Sequence, residues 1–328
     1  MNYTRQSKLN LFADNAQLIK KEFTWHSILA KRLAALLYAQ AGKSVDCDAI
    51  RQCHVMIKQN TGVFSTFRGN MALCIAALLS LSSNPQVVFS KTLKVYDLLK
   101  SEKFRASDYL AVAAYQIAAQ SDTSDYRKVV ARTRSFYDGM KAQHFFYTGQ
   151  DDYIFAAMLG LSDLDVTTGT ERIEQLYSRL KSEFWAKNSI QALAQVLVLG
   201  KSDDSAVDRV LALRDALRAQ KIKLDKAYTL PILGILALLP VGVDTIVRDI
   251  CVLKDVLREK TGFGLLSVTS QELLLYVASI VASEYAESIK DEVLTATLST
   301  SITNIIIAQQ AAMLAAISAS SAAAASSS

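Results

Sequence analysis

Residues 165–203 read DVTTGTERIEQLYSRLKSEFWAKNSIQALAQVLVLGKSD and have the pattern of two consecutive helices of different character. In the first half, apolar residues follow one another at intervals of three and four: Ile173, Leu176, Tyr177 and Leu180. Such spacing places the apolar side chains on one face of an α-helix. The second half is rich in Ala, Leu and Val and is much less amphipathic, so neighbouring helices must cover it on more than one side. These residues therefore predict a helical hairpin.

The hairpin pattern repeats along the chain with a period near 40 residues. Each first helix closes with a lysine, and successive lysines are 38 to 42 residues apart: Lys20, Lys58, Lys100, Lys141, Lys181, Lys221 and Lys260. A cation in the last turn complements the helix dipole. A period of this length is typical of arrays of helical hairpins, which grow by adding units instead of enlarging one core.

Two further features recur from unit to unit. The connector after each first helix often carries a phenylalanine that we expect to fill the corner of the hairpin: Phe23, Phe64, Phe104, Phe145, Phe184 and Phe263. Small residues recur in the middle of the second helices, where helices that approach closely leave little room: Ala76, Ala114, Ala157, Ala194, Gly234 and Ala278. The first helices are therefore expected to form one layer and the second helices another.

The predicted fold is all-α, an α/α superhelical repeat (solenoid) of about seven antiparallel helical hairpins. A closed α/α toroid is the alternative. Residues 1–300 are expected to form a single helical-repeat domain that ends in a C-terminal cap helix, placed at 284–297. Residues 301–328 end in a run of Ala and Ser and are predicted to be a partly disordered tail.

Composition favours a chain without a membrane span. The mean hydropathy of +0.19 and the apolar fraction of 51% are high, yet the most apolar run, 228–243, contains two prolines and is shorter than the 20 or so residues that a span needs. The polar N-terminus lacks the apolar segment of a signal peptide. Four cysteines show no paired framework, which fits a reducing compartment. We therefore expect a cytoplasmic protein.

Several local strings resemble a known bacterial family. These are NTGVFSTFRG at 60–69 with AALLSL at 76–81, RLAALLYAQAGKSVD at 32–46, and AQQAAM from residue 308 into the Ala/Ser tail. They are similar to the domain-of-unknown-function 4003 family, and the resemblance extends over nearly the whole chain. The family implies no activity, cofactor or site.

The starts of the second helices form the first candidate site. Stacked hairpins would align the following polar and aromatic residues along one edge: Arg68, Asn70, Asp108, Tyr109, Asp152, Tyr153, Asn188 and Lys226. An edge that mixes Tyr, Arg and Asp suits a peptide or a small polar ligand. The alternative is that these residues only cap helices.

A basic strip on two first helices is the second candidate site. It consists of Lys91 and Lys94 in the third unit and of Arg127, Lys128, Arg132 and Arg134 in the fourth. Aligned side by side, these cations could meet phosphates or an acidic partner. The alternative is an ordinary solvated face.

No catalytic or metal-binding pattern stands above a structural reading. Three scattered histidines and the group Cys47, Cys53 and His54 lack the ligand spacing of a zinc site, so no metal and no cofactor are predicted. Open helical arrays mostly present extended surfaces to partners. The sequence therefore favours a non-enzymatic binding or scaffold protein with a protein or peptide partner. The alternatives are an enzyme with paired carboxylates in a toroid cavity, among them Asp108 and Asp152, and HEAT-like nucleic-acid binding.

Overall fold

The computed structural model describes residues 3–288, 302–309 and 311–312, and these residues are helical or in loops, with no β-strand among them. The α-helices are α1 (Tyr3–Glu22), α2 (Ile28–Gln40), α3 (Cys47–Asn60), α4 (Ala72–Leu81), α5 (Pro85–Ser101), α6 (Asp108–Gln120), α7 (Tyr126–Gln143), α8 (Tyr153–Leu161), α9 (Val166–Leu180), α10 (Lys187–Leu199), α11 (Ser205–Ala219), α12 (Leu230–Leu238), α13 (Val243–Glu259) and α14 (Ser270–Glu287). Two 3-10 turns, Thr66–Arg68 and Gln150–Asp152, precede α4 and α8. The all-α prediction is confirmed.

The helices pair into antiparallel hairpins, α1 with α2 through α13 with α14, as the repeat predicts. The first helix of a pair buries one stripe; α9, for example, buries Ile173, Leu176, Tyr177 and Leu180. The second helix is covered on nearly every side, as α10 is from Ile190 to Val198. Odd-numbered helices therefore form an outer layer and even-numbered helices an inner one.

The first and last hairpins are in contact with each other. Contacts run around the outer layer from α1 through α3, α5, α7, α9, α11 and α13 and return to α1, and α14 packs against both α1 and α2. The Phe12 ring lies 5.1 Å from the Phe263 ring and 5.0 Å from the Tyr276 ring. An open solenoid has no contact between its ends, so these contacts favour the toroid alternative.

The ring of hairpins has two faces with different loops. The connector face carries the loops that lead from an outer to an inner helix, at 23–27, 61–71, 102–107, 144–152, 181–186, 220–229 and 260–269. The return face carries the loops that lead from an inner helix to the next outer one, at 41–46, 82–84, 121–125, 162–165, 200–204 and 239–242. Helix side chains bind the connectors of neighbouring hairpins; Arg134 of α7 donates to Glu102 O at 3.2 Å, and Arg32 of α2 donates to Gly262 O at 2.9 Å.

A C-terminal segment, here residues 302–309 and 311–312, lies among the inner helices. It is helical, and Ile302, Ile305 and Ile306 are fully buried. Thr303 lines a cavity with the C-terminal ends of α2, α4 and α14, whereas Ala308 and Ala312 lie near the N-terminal ends of α8, α10 and α12. The segment thus runs along the inside of the ring from the return face towards the connector face.

The predicted cap helix and tail only partly overlap these described residues. Residues 284–287 belong to α14, which is the inner helix of the last hairpin, and 289–297 lie outside the described residues. Part of the predicted tail is the buried C-terminal segment, and residues 313–328 again lie outside the described residues.

The connector phenylalanines do not all behave as expected. Phe23, Phe104, Phe184 and Phe263 are buried in the hairpin corners, but Phe64 and Phe145 are exposed. In the α3–α4 connector the corner is filled instead by Phe67, whose ring lies 5.5 Å from the Phe89 ring and 5.1 Å from the Tyr96 ring. In the α7–α8 connector the His144 ring packs against the Tyr177 ring at 4.2 Å. The two displaced phenylalanines point into solvent on the connector face.

Candidate functional site

The connector face exposes large apolar side chains on most of its loops. Trp25 and Trp185 are 99% exposed, and Phe64 and Leu266 are fully exposed. Together with their neighbours they form what we call the apolar rim: Trp25, Val63, Phe64, Phe145, Phe146, Trp185, Leu265 and Leu266. Five other large apolar residues are 37–51% exposed on helices: Leu18, Ile28, Val55, Val87 and Val252. Such single exposed residues are ordinary on protein surfaces, whereas a set gathered on one face marks an interaction site.

Local structure holds these side chains outward. Buried neighbours anchor two of the loops, because Phe184 and Phe263 pack inside while Trp185 and Leu265 project. The loop that carries Leu265 and Leu266 is also tied by Arg258, which donates to Phe263 O at 3.1 Å and Val268 O at 3.0 Å. Two of the five connectors that carry the rim are therefore anchored by buried neighbours.

Lysine and arginine side chains surround the apolar rim. Exposed cations of the connector loops and the adjoining helix ends include Lys58, Lys100, Lys103, Arg105, Lys181, Lys187, Lys221, Lys223 and Lys226. None of these nine forms an ion pair with another residue that the structure describes, whereas Arg218 at the end of α11 pairs with Asp225. The return face is acidic instead, with Asp46, Asp122, Asp125, Asp163, Asp165, Asp203 and Asp204 in its loops. The connector loops thus carry eight basic against five acidic residues, and the return loops carry two basic against seven acidic residues.

A cavity of about 710 Å³ opens on the connector face between the last two connectors. Lys221, Lys223 and Lys226 line it from one connector, and Leu265 lines it from the other. Ile222 and Leu274 contribute apolar wall. This lysine-lined cavity has the size of a small-molecule site and combines apolar walls with unpaired cations.

Asp152 is a buried member of the predicted edge whose carboxyl pKa is strongly raised. Its buried carboxylate accepts hydrogen bonds from Gln191 Nε2 and Gln195 Nε2, both at 3.0 Å, and from the Gly149 amide at 2.9 Å. Burial, and after it the negative charge of Asp151, raises the pKa of Asp152 to about 7. These bonds join the start of α8 to α10 and to the preceding connector, whereas the Asp152 side chain makes no capping bond to the amides of α8.

Asp108 and Tyr109 begin α6 and are half-buried. Burial raises the pKa of Asp108, and the amides of Met71 and Asn70 oppose this rise. Burial also raises the pKa of the Tyr109 hydroxyl, with further contributions from the charges of Asp151 and Asp108. Tyr109 therefore lies near enough to Asp151, Asp108 and Asp152 for their charges to raise the pKa of its hydroxyl.

The other edge residues have separate structural contacts. The Arg68 guanidinium donates to Lys58 O and Thr61 O and so caps the end of α3. Tyr153 is buried and packs against Phe104 and Tyr137, and its hydroxyl accepts a 3.3 Å hydrogen bond from the Arg105 amide. Asn70 and Asn188 are exposed, and Asn188 Nδ2 donates to Asp151 Oδ2. Lys226 lines the lysine-lined cavity.

The space beside Asp151 and Asp152 is small. The cavity there measures about 60 Å³ and is closed on one side by Ala308, Gln309 and Ala312 of the C-terminal segment. Ligand sites usually measure 300–1,000 Å³. Asp152 lines this cavity and Asp108 does not, so the pair required by the carboxylate hypothesis is not brought together in it.

The basic strip is divided by the structure. Lys94, Arg127 and Lys128 are exposed on the outer helices, and Lys91 is half-exposed. Arg132 is turned inward, where it donates to Gly160 O at 3.1 Å and Ser162 O at 2.8 Å and caps α8. Arg134 donates to Asp138 Oδ2 at 2.7 Å and lies over the Phe104 ring. Two of the six cations therefore bond within the chain.

Sequence reasoning missed the apolar rim. A partial signal is the presence of adjacent large apolar residues in a connector. Phe145-Phe146 and Leu265-Leu266 are such pairs, and Trp185 follows the corner residue Phe184. Trp25 is exposed without an adjacent large apolar residue, so this signal would not have found the whole rim.

Comparisons with known proteins indicate a family for the chain but no activity. The family model described as "Protein of unknown function (DUF4003)" matches residues 15–311. The protein named "Uncharacterized protein YeaA" of Bacillus subtilis (strain 168) is 22% identical over 308 residues, which cover 92% of this chain and 90% of that protein. No solved structure matches the chain.

Two structural features are absent from the described residues. No helix among them is long and apolar enough to cross a membrane. In the same part of the chain, no group of three or more His, Cys, Asp or Glu side chains is arranged to hold a metal ion.

Proposed function

The chain belongs to the DUF4003 family, and because that family's description carries no activity, we propose from geometry that it is a non-catalytic binding protein whose connector face is its binding surface. The observation that carries the proposal is the apolar rim, in which Trp25, Phe64, Trp185 and Leu266 are essentially fully exposed on one face. Burying such a side chain releases about 1.5–3 kcal/mol, so a partner that covers several of them is held firmly.

The rival enzymatic role has less support from the geometry. The carboxylates Asp151 and Asp152 adjoin about 60 Å³ of space, which holds a few water molecules and no sugar-sized substrate. Asp152 is occupied by three hydrogen bonds within the chain. Nucleic-acid binding through the basic strip also loses support, because Arg132 and Arg134 are engaged elsewhere.

The test compares the chemical accessibility of the two faces inside cells and in the purified protein. Thr24→Cys places a thiol beside Trp25 on the connector face, and Thr123→Cys places one on the return face; both threonines are exposed. Cys47 and Cys251, the half-buried native thiols, are first changed to serine, and Cys53 and Cys74 are buried. A membrane-permeant maleimide then labels each variant.

We expect the thiol at residue 24 to react more slowly in intact host cells than in the purified protein, while the thiol at residue 123 reacts equally in both. This readout needs no knowledge of the partner. Equal labelling of residue 24 in cells and in purified protein would mean that nothing covers the connector face, and the proposed function would be wrong.

A further inference from the structure

We infer that the partner of the connector face is the surface of an anionic phospholipid membrane, on which the ring lies flat as a peripheral protein; the inference rests on the proposed function. Three observations carry it: the arrangement of the apolar rim, the charge difference between the two faces, and the lysine-lined cavity.

The apolar rim is arranged for a planar partner. Its residues sit on five of the seven connectors, at 23–27, 61–71, 144–152, 181–186 and 260–269, and so follow the circumference of one face. A peptide or a helix contacts a groove along one line, and the most exposed rim residues project from loops instead of lining a groove. Trp, Phe and Leu on separate loops can all enter a flat interface together, and tryptophan is enriched where a protein meets lipid head groups.

Charge complementarity selects an anionic surface. The rim is interspersed with exposed cations that have no ion-pair partner among the described residues, such as Lys103, Lys187 and Lys223. The return loops carry seven aspartates, among them Asp122, Asp125 and Asp203, against the two lysines Lys43 and Lys201, so an anionic surface repels that face. Clustered lysines beside an interfacial apolar set are the sequence features of binding to acidic lipids.

The lysine-lined cavity matches an acidic lipid head group. It offers about 710 Å³ between Lys221, Lys223 and Lys226 on one side and the apolar side chains Leu265 and Leu274 on the other. The lysines can neutralise a phosphate, and the leucines can contact the start of an acyl chain. Leu265 and Leu266 belong to the rim, so the cavity opens at the surface that would face the membrane.

The same charges argue against a second copy of the chain as the occupant. In a symmetric face-to-face dimer the same patch meets itself, so lysines would meet lysines across the interface. A nucleic acid would satisfy the lysines but would leave most of the apolar rim in water, because phosphate contacts dominate its binding. A membrane satisfies both sets of residues at once.

The chain carries its own reporter for the test. Its two tryptophans, Trp25 and Trp185, are both 99% exposed, and both lie on the connector face. The full-length protein is mixed with vesicles of phosphatidylglycerol and phosphatidylcholine, and with vesicles of phosphatidylcholine alone. We expect the tryptophan emission to shift to shorter wavelength, and the protein to sediment, with the anionic vesicles. Binding should weaken as salt is added.

Two pairs of matched variants separate the apolar and the charged contributions. Leu265→Ser with Leu266→Ser keeps both tryptophans and should weaken vesicle binding about 10-fold or more, whereas Val87→Ser, an exposed valine near the return face, should leave it unchanged. The double variant Lys221→Gln and Lys223→Gln should also weaken vesicle binding about 10-fold. Its control, Lys43→Gln and Lys201→Gln, removes the same charge from the return face and should leave vesicle binding unchanged. Circular dichroism of each variant confirms that it is folded.

The outcomes distinguish this inference from the proposed function. If the anionic vesicles cause neither an emission shift nor sedimentation, the membrane inference is overturned. Protection of residue 24 in cells would then leave the proposed function standing, with a protein or nucleic acid as partner. Binding that is unchanged by the Leu265 and Leu266 substitutions, or equal on neutral vesicles, would likewise contradict the membrane inference.

Discussion

The Arg32 guanidinium donates a 2.8 Å hydrogen bond to Glu272 Oε1, and this ion pair joins the first hairpin of the ring to the last. Both side chains are about 5% exposed. Arg32 also donates to Gly262 O at 2.9 Å and Ser267 O at 2.8 Å, and the Tyr276 hydroxyl donates to Glu272 at 2.6 Å. The contact between the chain's two ends is therefore a buried and extensively hydrogen-bonded network.

Arg32→Ala should strongly destabilise the protein. The substitution leaves the buried Glu272 carboxylate without its cation and several acceptors without a donor, a loss that usually costs about 3–5 kcal/mol. The measurement is the free energy of unfolding in urea. Arg51→Ala is the control, because Arg51 pairs with Glu22 and Asp48 at half-exposed positions, where ion pairs contribute about 0–1 kcal/mol. Equal losses in the two variants would show that the ends of the chain do not meet as described.

Ile306→Ala should also lower the free energy of unfolding, by about 2–5 kcal/mol. Ile306 is fully buried in the C-terminal segment, so the truncation leaves a cavity among the inner helices. Val63→Ala is the control, because Val63 is 74% exposed and little burial is lost. The check is urea unfolding followed by circular dichroism. A change in Ile306→Ala no larger than in the control would mean that the segment is not packed inside the ring.

The hairpins could be predicted because their determinants are local. The stripe of Ile173, Leu176 and Leu180 and the small residues of the inner helices act within one unit or between neighbours. Contact between the ends could not be predicted in the same way. It depends on the summed rotation of all units, and Arg32 and Glu272 are separated by 240 residues. Neither residue stands out from the ordinary charged positions of a helix.

The candidate site, too, could be predicted only in part from the sequence. Phe64 and Phe104 occupy equivalent positions in the repeat, yet Phe104 is buried and Phe64 is fully exposed because Phe67 occupies its corner. The sequence suggested that Arg68 and Arg132 are free to bind a ligand. In the structure, each guanidinium donates to backbone carbonyls at the end of a helix. Packing decides which of two nearby side chains is buried in a hairpin corner. The spacing of residues in the sequence does not contain that information.

Gly160→Ala should destabilise the contact between α7 and α8. A Cβ at residue 160 would lie 2.9 Å from the Thr133 amide nitrogen and 3.0 Å from its Cα, and backbone atoms cannot move aside cheaply. We expect a loss of about 1–3 kcal/mol in the free energy of unfolding. Gly62→Ala is the matched control, because nothing lies within 4 Å of its Cβ position. A loss confined to Gly160→Ala supports the close approach; equal effects would contradict it.

The buried Asp152 predicts a specific pH dependence of stability. Because its pKa is raised to about 7 in the folded protein, from an ordinary value of 3.8, the folded state keeps a proton that the unfolded state has already released between those pH values. The free energy of unfolding should therefore fall as pH rises through this range, by up to about 1.4 kcal/mol per pH unit. Asp152→Asn, which carries no titrating proton, should show a smaller slope, to which Asp108 still contributes because burial also raises its pKa. Urea unfolding of both proteins across the range is the measurement.

Two neighbouring substitutions test the cause of that slope. Asp151 contributes to the raised pKa of Asp152 through its negative charge, so Asp151→Asn should move the fall in stability to lower pH without abolishing it. Asp163 is the contrasting case, because it is exposed and hydrogen bonding to Lys201 lowers its pKa. A lowered pKa gives stability that is present at neutral pH and lost on acidification, so Asp163→Asn cannot remove the slope assigned to Asp152. If Asp152→Asn keeps the wild-type dependence of the unfolding free energy on pH while Asp163→Asn changes it, Asp152 is not the titrating group. The Asp152 carboxylate would then be ionised in the folded protein at pH values well below 7.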